Sequence, residues 1–209
     1  MKNLRKKNQK LLKDNHVYYE NQEHDACGVG LVASTEGRKS RKVVEYGIEA
    51  LKAVWHRGAV DADGKTGDGA GIHIEIPQDF FIEKIENTGH KHDNSEVCVG
   101  MIFLPRNNYS AQEQCRTIIE SVLTKKDFNI YGWRQVPVNP SVLGEKAEIT
   151  RPEIAQVLFK HNDRSKIGKN LEVKLYEARR IIEKEASKNN LNNFYICSFS
   201  SKSIIYKGM

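Results

Sequence analysis

Apolar residues along this chain recur with two periods, one helical and one extended, and the two alternate from end to end. Val44, Ile48, Leu51 and Trp55 stand at i, i+4, i+7 and i+11, and predict one helix over 41–56 that stops at Gly58. Ile72, Ile74 and Ile76 alternate with His73 and Glu75 and predict a half-buried strand ended by Pro77. A short helix over 79–87 and an apolar strand over 97–104 follow. Ser110 and Glu113 have the spacing of a capping box, opening a helix that runs to 126. Next come a strand over 129–137 with Tyr131 and Trp133 on one face, and a strand over 154–161. A helix over 171–189 aligns Leu175, Ala178, Ile182 and Ala186. Segments 194–199 and 203–207 read as a closing hairpin that turns at Ser200-Ser201-Lys202. Ahead of all this, CGVGLVA (27–33) reads as a short strand and STEGRKS as a turn. The glycine- and aspartate-rich run 58–71 reads as a loop. Antiparallel strands with helices packed on them place the chain in the α+β class, apart from doubly wound parallel folds.

Composition narrows the picture. With 209 residues, 39% apolar and 29% charged, and a mean hydropathy of −0.60, one ordinary domain is expected. No apolar run is long enough to cross a bilayer, so no membrane partner is expected. The net charge of +6 is concentrated at the start, where Lys2, Arg5, Lys6, Lys7, Lys10 and Lys13 occur with no acid among them. Leu11-Leu12 is too short for the apolar region of a secretory signal, and the segment is Lys- and Asn-rich where a mitochondrial presequence is Arg- and Ser-rich. Residues 1–26 read as a solvated, poorly ordered leader. The rest of the chain mixes Lys with Glu and shows no basic stripe with interleaved aromatics, so no nucleic-acid partner is expected. Cysteines at 27, 98, 115 and 197 form no C-x-x-C pair, and the seven histidines form no H-x-x-x-H pair. The expectation is a cytoplasmic protein with reduced cysteines, no metal site and no cofactor in this segment.

The stretch HDACGVG, 24–30, poses the chemical question. A cysteine thiol at neutral pH is only a few per cent thiolate and needs a base. If the Ala26–Cys27 bond is broken, Cys27 carries its own α-amine, whose ordinary pKa is roughly 7.7–8.0. That amine can take the thiol proton and later protonate a leaving group, which an amide nitrogen cannot do. The alternative is a small buried hydrophobe filling a core gap. A nucleotide-binding P-loop is a poor competitor for the loop that follows. Gly64-Lys65-Thr66 has Ala59 where the first glycine belongs, and it leads into a strand, not a helix.

DACGVGLVA, then EALKAVWHRGAVDADGKTGDGAGIHIEIP, then FYICSFSSKSIIYKGM together resemble the amidotransferase domain that opens the large chains of the glutamate synthase family. That domain is one of the class II glutamine amidotransferases, within the N-terminal nucleophile hydrolases, and the resemblance spans residues 24–209. It implies a four-layer αββα sandwich with antiparallel sheets, here incomplete at the C-terminus. It implies a propeptide over 1–26, a mature domain over 27–209 and Cys27 as catalytic nucleophile, attacking the side-chain amide of L-glutamine to release ammonia. Arg57 matches the arginine of an His-Arg-Gly motif and either holds a carboxylate or caps its helix. Gly28 follows the nucleophile, where glycine lets substrate approach the backbone. Asp68 and Gly69 match the element that packs beside the nucleophile and shapes the pocket floor.

In the full-length relatives the resemblance also implies FMN, an iron–sulfur cluster, 2-oxoglutarate as ammonia acceptor and a small subunit as partner. It implies, too, an arginine-bearing strand motif, an Asn-Gly oxyanion hole and an aspartate that clamp glutamine. None of these appears in the 209 residues, which contain no Asn-Gly dipeptide. They are expected beyond Met209, and the chain alone is expected to be inactive, since losing a single oxyanion donor costs about 10²–10³ in rate. The competing reading within the same family is a non-catalytic amidotransferase-like module kept for assembly or regulation.

Overall fold

The computed structural model describes residues 2–15 and 28–208. Residues 2–15 hold the first departure from expectation. Lys2–Asp14 is a helix, α1, closed where the Asn15 N–H and side-chain amide both donate to the Leu11 carbonyl. Its sequence contains only Lys, Leu, Arg, Gln, Asn and Asp, with no Gly, Pro or β-branched residue to break a helix. The strand expected over 27–33 is absent over the described residues 28–33. There Val29 and Leu31 are 90% and 92% exposed, and the segment pairs with neither sheet. Two glycines in three residues weaken an extended segment that has no ladder to join.

Helix α2 spans Arg41–Ala53 and starts where the Ser40 hydroxyl accepts from the Lys42 N–H. The single helix expected to run to His56 breaks at Val54 and continues as a 3-10 turn over Trp55–Arg57. Val44, Ile48 and Leu51 are half-buried, but the break swings Trp55 out of the stripe and leaves it 76% exposed. Strand β1, Ala70–Glu75, takes in two residues expected to lie in the loop. Then follow α3 (Gln78–Glu86), β2 (Cys98–Leu104), α4 (Tyr109–Lys125) and β3 (Phe128–Gln135). A short α5 (Glu145–Thr150) was not legible in the sequence; β4 (Glu153–His161), α6 (Gly168–Lys188), β5 (Tyr195–Ser200) and β6 (Ser203–Gly208) complete the series.

The strands form two antiparallel sheets, one in the order β3-β4-β2-β5 and the other joining β1 to β6. β2 shows why they stack. Cys98, Ile102 and Leu104 face one way, and Val99 and Met101 the other, and all are buried. The first face packs under α4 and α6 through Cys115, Ile119, Leu175 and Ile182. The second packs against Ile74 and Ile204 of the two-stranded sheet and against Phe81 and Ile85 of α3. With α2 against β1, where Gly47 meets Ile72, the layers of an αββα sandwich are present. Between the sheets lies an apolar cavity of about 310 Å³, lined in part by Leu51, Ile72, Met101, Phe103 and Ile154.

Three local expectations are corrected by tertiary contacts. The closing segments are not a hairpin, because β5 pairs with β2 and β6 with β1. Glu172 of α6 turns the corner between them, accepting from the Ser200 hydroxyl and from the Ser201 N–H and hydroxyl. The cap of α4 is Asn108, whose side chain accepts from the Ala111 N–H, and Ser110 lies inside the helix. Tyr131 and Trp133 do not share a face. Tyr131 is the extra residue of a β-bulge, so it enters the inter-sheet core while Trp133 packs towards the helices.

Candidate functional site

The loop from Gly58 to Gly69 is built as a long, cross-linked finger. At its base the Asp68 carboxylate accepts from the Ala59 N–H at 2.7 Å, tying the residue that follows Arg57-Gly58 to the start of β1. One step further out, Val60 and Gly67 form an isolated antiparallel bridge. At the tip the Asp61 N–H donates to the Thr66 carbonyl at 2.8 Å, and the Gly64 N–H donates to the Asp61 carbonyl at 2.9 Å. Asp63 accepts from the Thr66 hydroxyl and from the N–H groups of Thr66 and Lys65. The Thr66 hydroxyl is the largest influence holding this carboxyl well below the usual carboxylate range, followed by those backbone donors. The sequence showed only a breaker-rich loop; the short-range acceptor role of its aspartates is what gives it a shape.

The structure distributes the expected site residues unevenly. Cys27 lies outside the described residues. Gly28 is exposed and belongs to no strand. Arg57 ends the 3-10 turn, and Gly58 closes that turn by donating to the Trp55 carbonyl at 3.0 Å. Asp68 is brought next to that turn by its bond to Ala59. Gly69 has a φ of +96°, and a Cβ there would stand 3.1 Å from the Gly208 carbonyl oxygen, so both backbone and space call for glycine at the entry to β1. His56 is a helix-end residue, its Nδ1 3.2 Å from the Ala53 carbonyl oxygen.

The remaining cysteines are core thiols. Cys98 and Cys115 are buried under the helices and Cys197 between the sheets. Burial pushes the Cys98 and Cys197 thiols up and takes Cys115 to about 11, away from a nucleophile's range. Among the described residues no group of His, Cys, Asp and Glu could hold a metal ion. Among the described residues the three buried cysteines belong to no metal-binding group and do not fit an iron–sulfur cluster. The apolar cavity reaches Ala70 and Gly71, just after Gly69, but it lacks the convergent polar groups that an amino-acid substrate requires. Among the described residues no helix is long and apolar enough to cross a membrane.

Gly144, the N-cap of α5, and Lys146 within it meet the tip of the finger and were not among the expected site residues. The only available signal was a glycine directly ahead of the acid-bearing turn Glu145–Glu148, an N-cap pattern.

An antiparallel αββα arrangement, with a glycine-rich finger at the entry to the second sheet, defines an α+β sandwich of the N-terminal nucleophile hydrolase class. The pattern described as "Glutamine amidotransferases class-II" matches residues 27–209, and the chain belongs to that family. It is 53% identical over 194 residues to the large chain of an NADPH glutamate synthase from Azospirillum brasilense, covering 93% of this chain and 13% of that protein. It is 40% identical over 190 residues to ferredoxin-dependent glutamate synthase 2 of Synechocystis sp., covering 90% and 12%. It is 36% identical over 189 residues to the chloroplastic ferredoxin-dependent enzyme of Spinacia oleracea, again covering 90% and 12%. The chain therefore spans about an eighth of the length of these relatives.

Proposed function

We propose that this chain is the glutaminase part of a cytoplasmic glutamate synthase, with Cys27 as its nucleophile once residues 1–26 are removed. The observation that carries the reading is the start of the family match at Cys27 itself, with the leader outside it. The α-amine of Cys27 accepts the thiol proton, and the sulfur attacks the side-chain carbonyl carbon of L-glutamine. A C–S bond forms, the C–N bond breaks, and the proton returns from the α-ammonium to the departing ammonia. Water then attacks the thioester, the amine takes its proton, and glutamate leaves as the C–S bond breaks. Asp68 and Gly69, which by the family resemblance belong to the element that packs beside the nucleophile, shape the base of the finger, and Arg57 ends the turn at the same base. On this reading ammonia is delivered to 2-oxoglutarate, and the two-electron reduction of the imine belongs to other parts of the whole protein. FMN and an iron–sulfur cluster would supply that reduction there, and no residue of this chain takes part in it.

The test uses the full-length protein made with its leader. N-terminal sequencing should give Cys27 as the first residue. A glutamine-mimicking electrophile should label that residue alone among the four cysteines, and Cys27→Ser should abolish glutamine consumption. An active protein that retains residues 1–26 would overturn the proposal. Absence of labelling at a processed Cys27 would favour a non-catalytic module.

A further inference from the structure

The tip of the Gly58–Gly69 finger is held from outside by a segment about eighty residues further on. The Lys146 ammonium contacts both carboxylate oxygens of Asp61, at 2.7 and 2.8 Å. The Ala147 N–H points at the Thr66 hydroxyl at 3.4 Å. Between these contacts sits Gly144, with φ −73° and ψ 162°, a conformation open to any residue. Its glycine is therefore required by space. A Cβ there would lie 2.2 Å from the Thr66 hydroxyl oxygen, 2.4 Å from an Asp63 carboxylate oxygen and 2.6 Å from the Thr66 backbone nitrogen. The last atom cannot rotate away, so a side chain at 144 must push the finger itself. The finger transmits the displacement because its two strands are cross-linked down to its base, through the Asp61–Thr66 and Val60–Gly67 pairings and the Ala59–Asp68 bond.

We propose that the Gly144–Ala147 turn is a positioning element for the amidotransferase site. Gly144 by its absent side chain and Lys146 by its charge seat the tip of the finger, and so set the base where Arg57 and Asp68 stand. Neither touches substrate. This inference rests on the site described under Proposed function. A displacement of about 1 Å in a positioning contact can cost on the order of a hundredfold in a catalysed rate, so a seat remote from the chemistry carries kinetic weight.

The experiment uses the full-length protein, measuring kcat and KM for glutamine alongside glutamate formation from ammonia. Gly144→Ala should raise KM for glutamine about tenfold or more and leave ammonia-dependent synthesis unchanged. Lys146→Glu and Asp61→Lys, both at exposed positions where folding is not at risk, should each raise it about two- to fivefold, the range an exposed ion pair can supply. The double exchange Asp61→Lys with Lys146→Glu should restore wild-type KM. A purely structural contact would shift only the melting temperature. If wild-type protein consumes glutamine but the single exchanges keep its KM, or the double exchange fails to restore it, the positioning role is overturned alone. If wild-type protein does not consume glutamine, the function proposed above falls first and this role with it.

Discussion

Asp68 and Gly69 are neighbours constrained by different physics. Asp68 is an acceptor for one backbone N–H and needs only a short side chain with an oxygen in reach. Gly69 is held by its dihedral and by the approach of Gly208, and no other residue satisfies both. Gly69→Ala should therefore destabilise the chain by about 1–2 kcal/mol, measured by urea denaturation. A change below a few tenths would show that the entry to β1 is not strained. The aspartates at 61, 63 and 68 look alike in the sequence, yet one pairs with a lysine of α5, one closes its own turn and one ties the base of the finger. Their order along the chain was legible. The division of roles was not, because each depends on which N–H or ammonium the folded loop brings within reach.

At the scale of elements, most helices and strands follow from periodicity, and their ends follow from local chemistry that periodicity does not report. The start of α4 is the clearest case. Ser110 and Glu113 fit a capping box, but Asn108 takes the cap because its side chain reaches the Ala111 N–H at 3.0 Å. Asn108→Ala should cost about 1 kcal/mol of stability, and Ser110→Ala should stay within about 0.5 kcal/mol. Thermal unfolding of the two variants separates the alternatives, since a true capping box would reverse their order. The β-bulge at Tyr131 is a second case. Strict alternation joins Tyr131 to Trp133, and a single unpaired residue sends them to opposite faces.

Across the whole molecule, distant segments are joined by charged side chains as well as by the two cores. Asp93, in the α3–β2 connection, receives Lys160 of β4, the Ser95 hydroxyl and Arg164 from the segment before α6. These donors, Lys160 foremost, hold its carboxyl well below the usual carboxylate range. A depressed folded pKa means that the unfolded chain takes the proton first. The contribution is therefore complete above the ordinary value near 4 and is lost as pH falls from there through the folded value. Stability against urea should drop on acidification below about pH 4, and Asp93→Asn should flatten that part of the curve. An unchanged slope in the variant would remove Asp93 as a source of the acid sensitivity.

Local pattern alone was enough to determine the α+β class and most of the elements and inward-facing residues, because hydrophobic period is a property of neighbouring positions. Cys27 raised its question from the residues around it, whereas the His-Arg-Gly motif and Asp68-Gly69 stood out only through resemblance to the amidotransferase domain. Only the tertiary structure decided that β5 and β6 enter different sheets, that the segment after Gly28 joins neither, and that Gly144 seats the finger. Those outcomes depend on which partner each backbone group finds, and residues far apart in the chain meet only when the layers have packed.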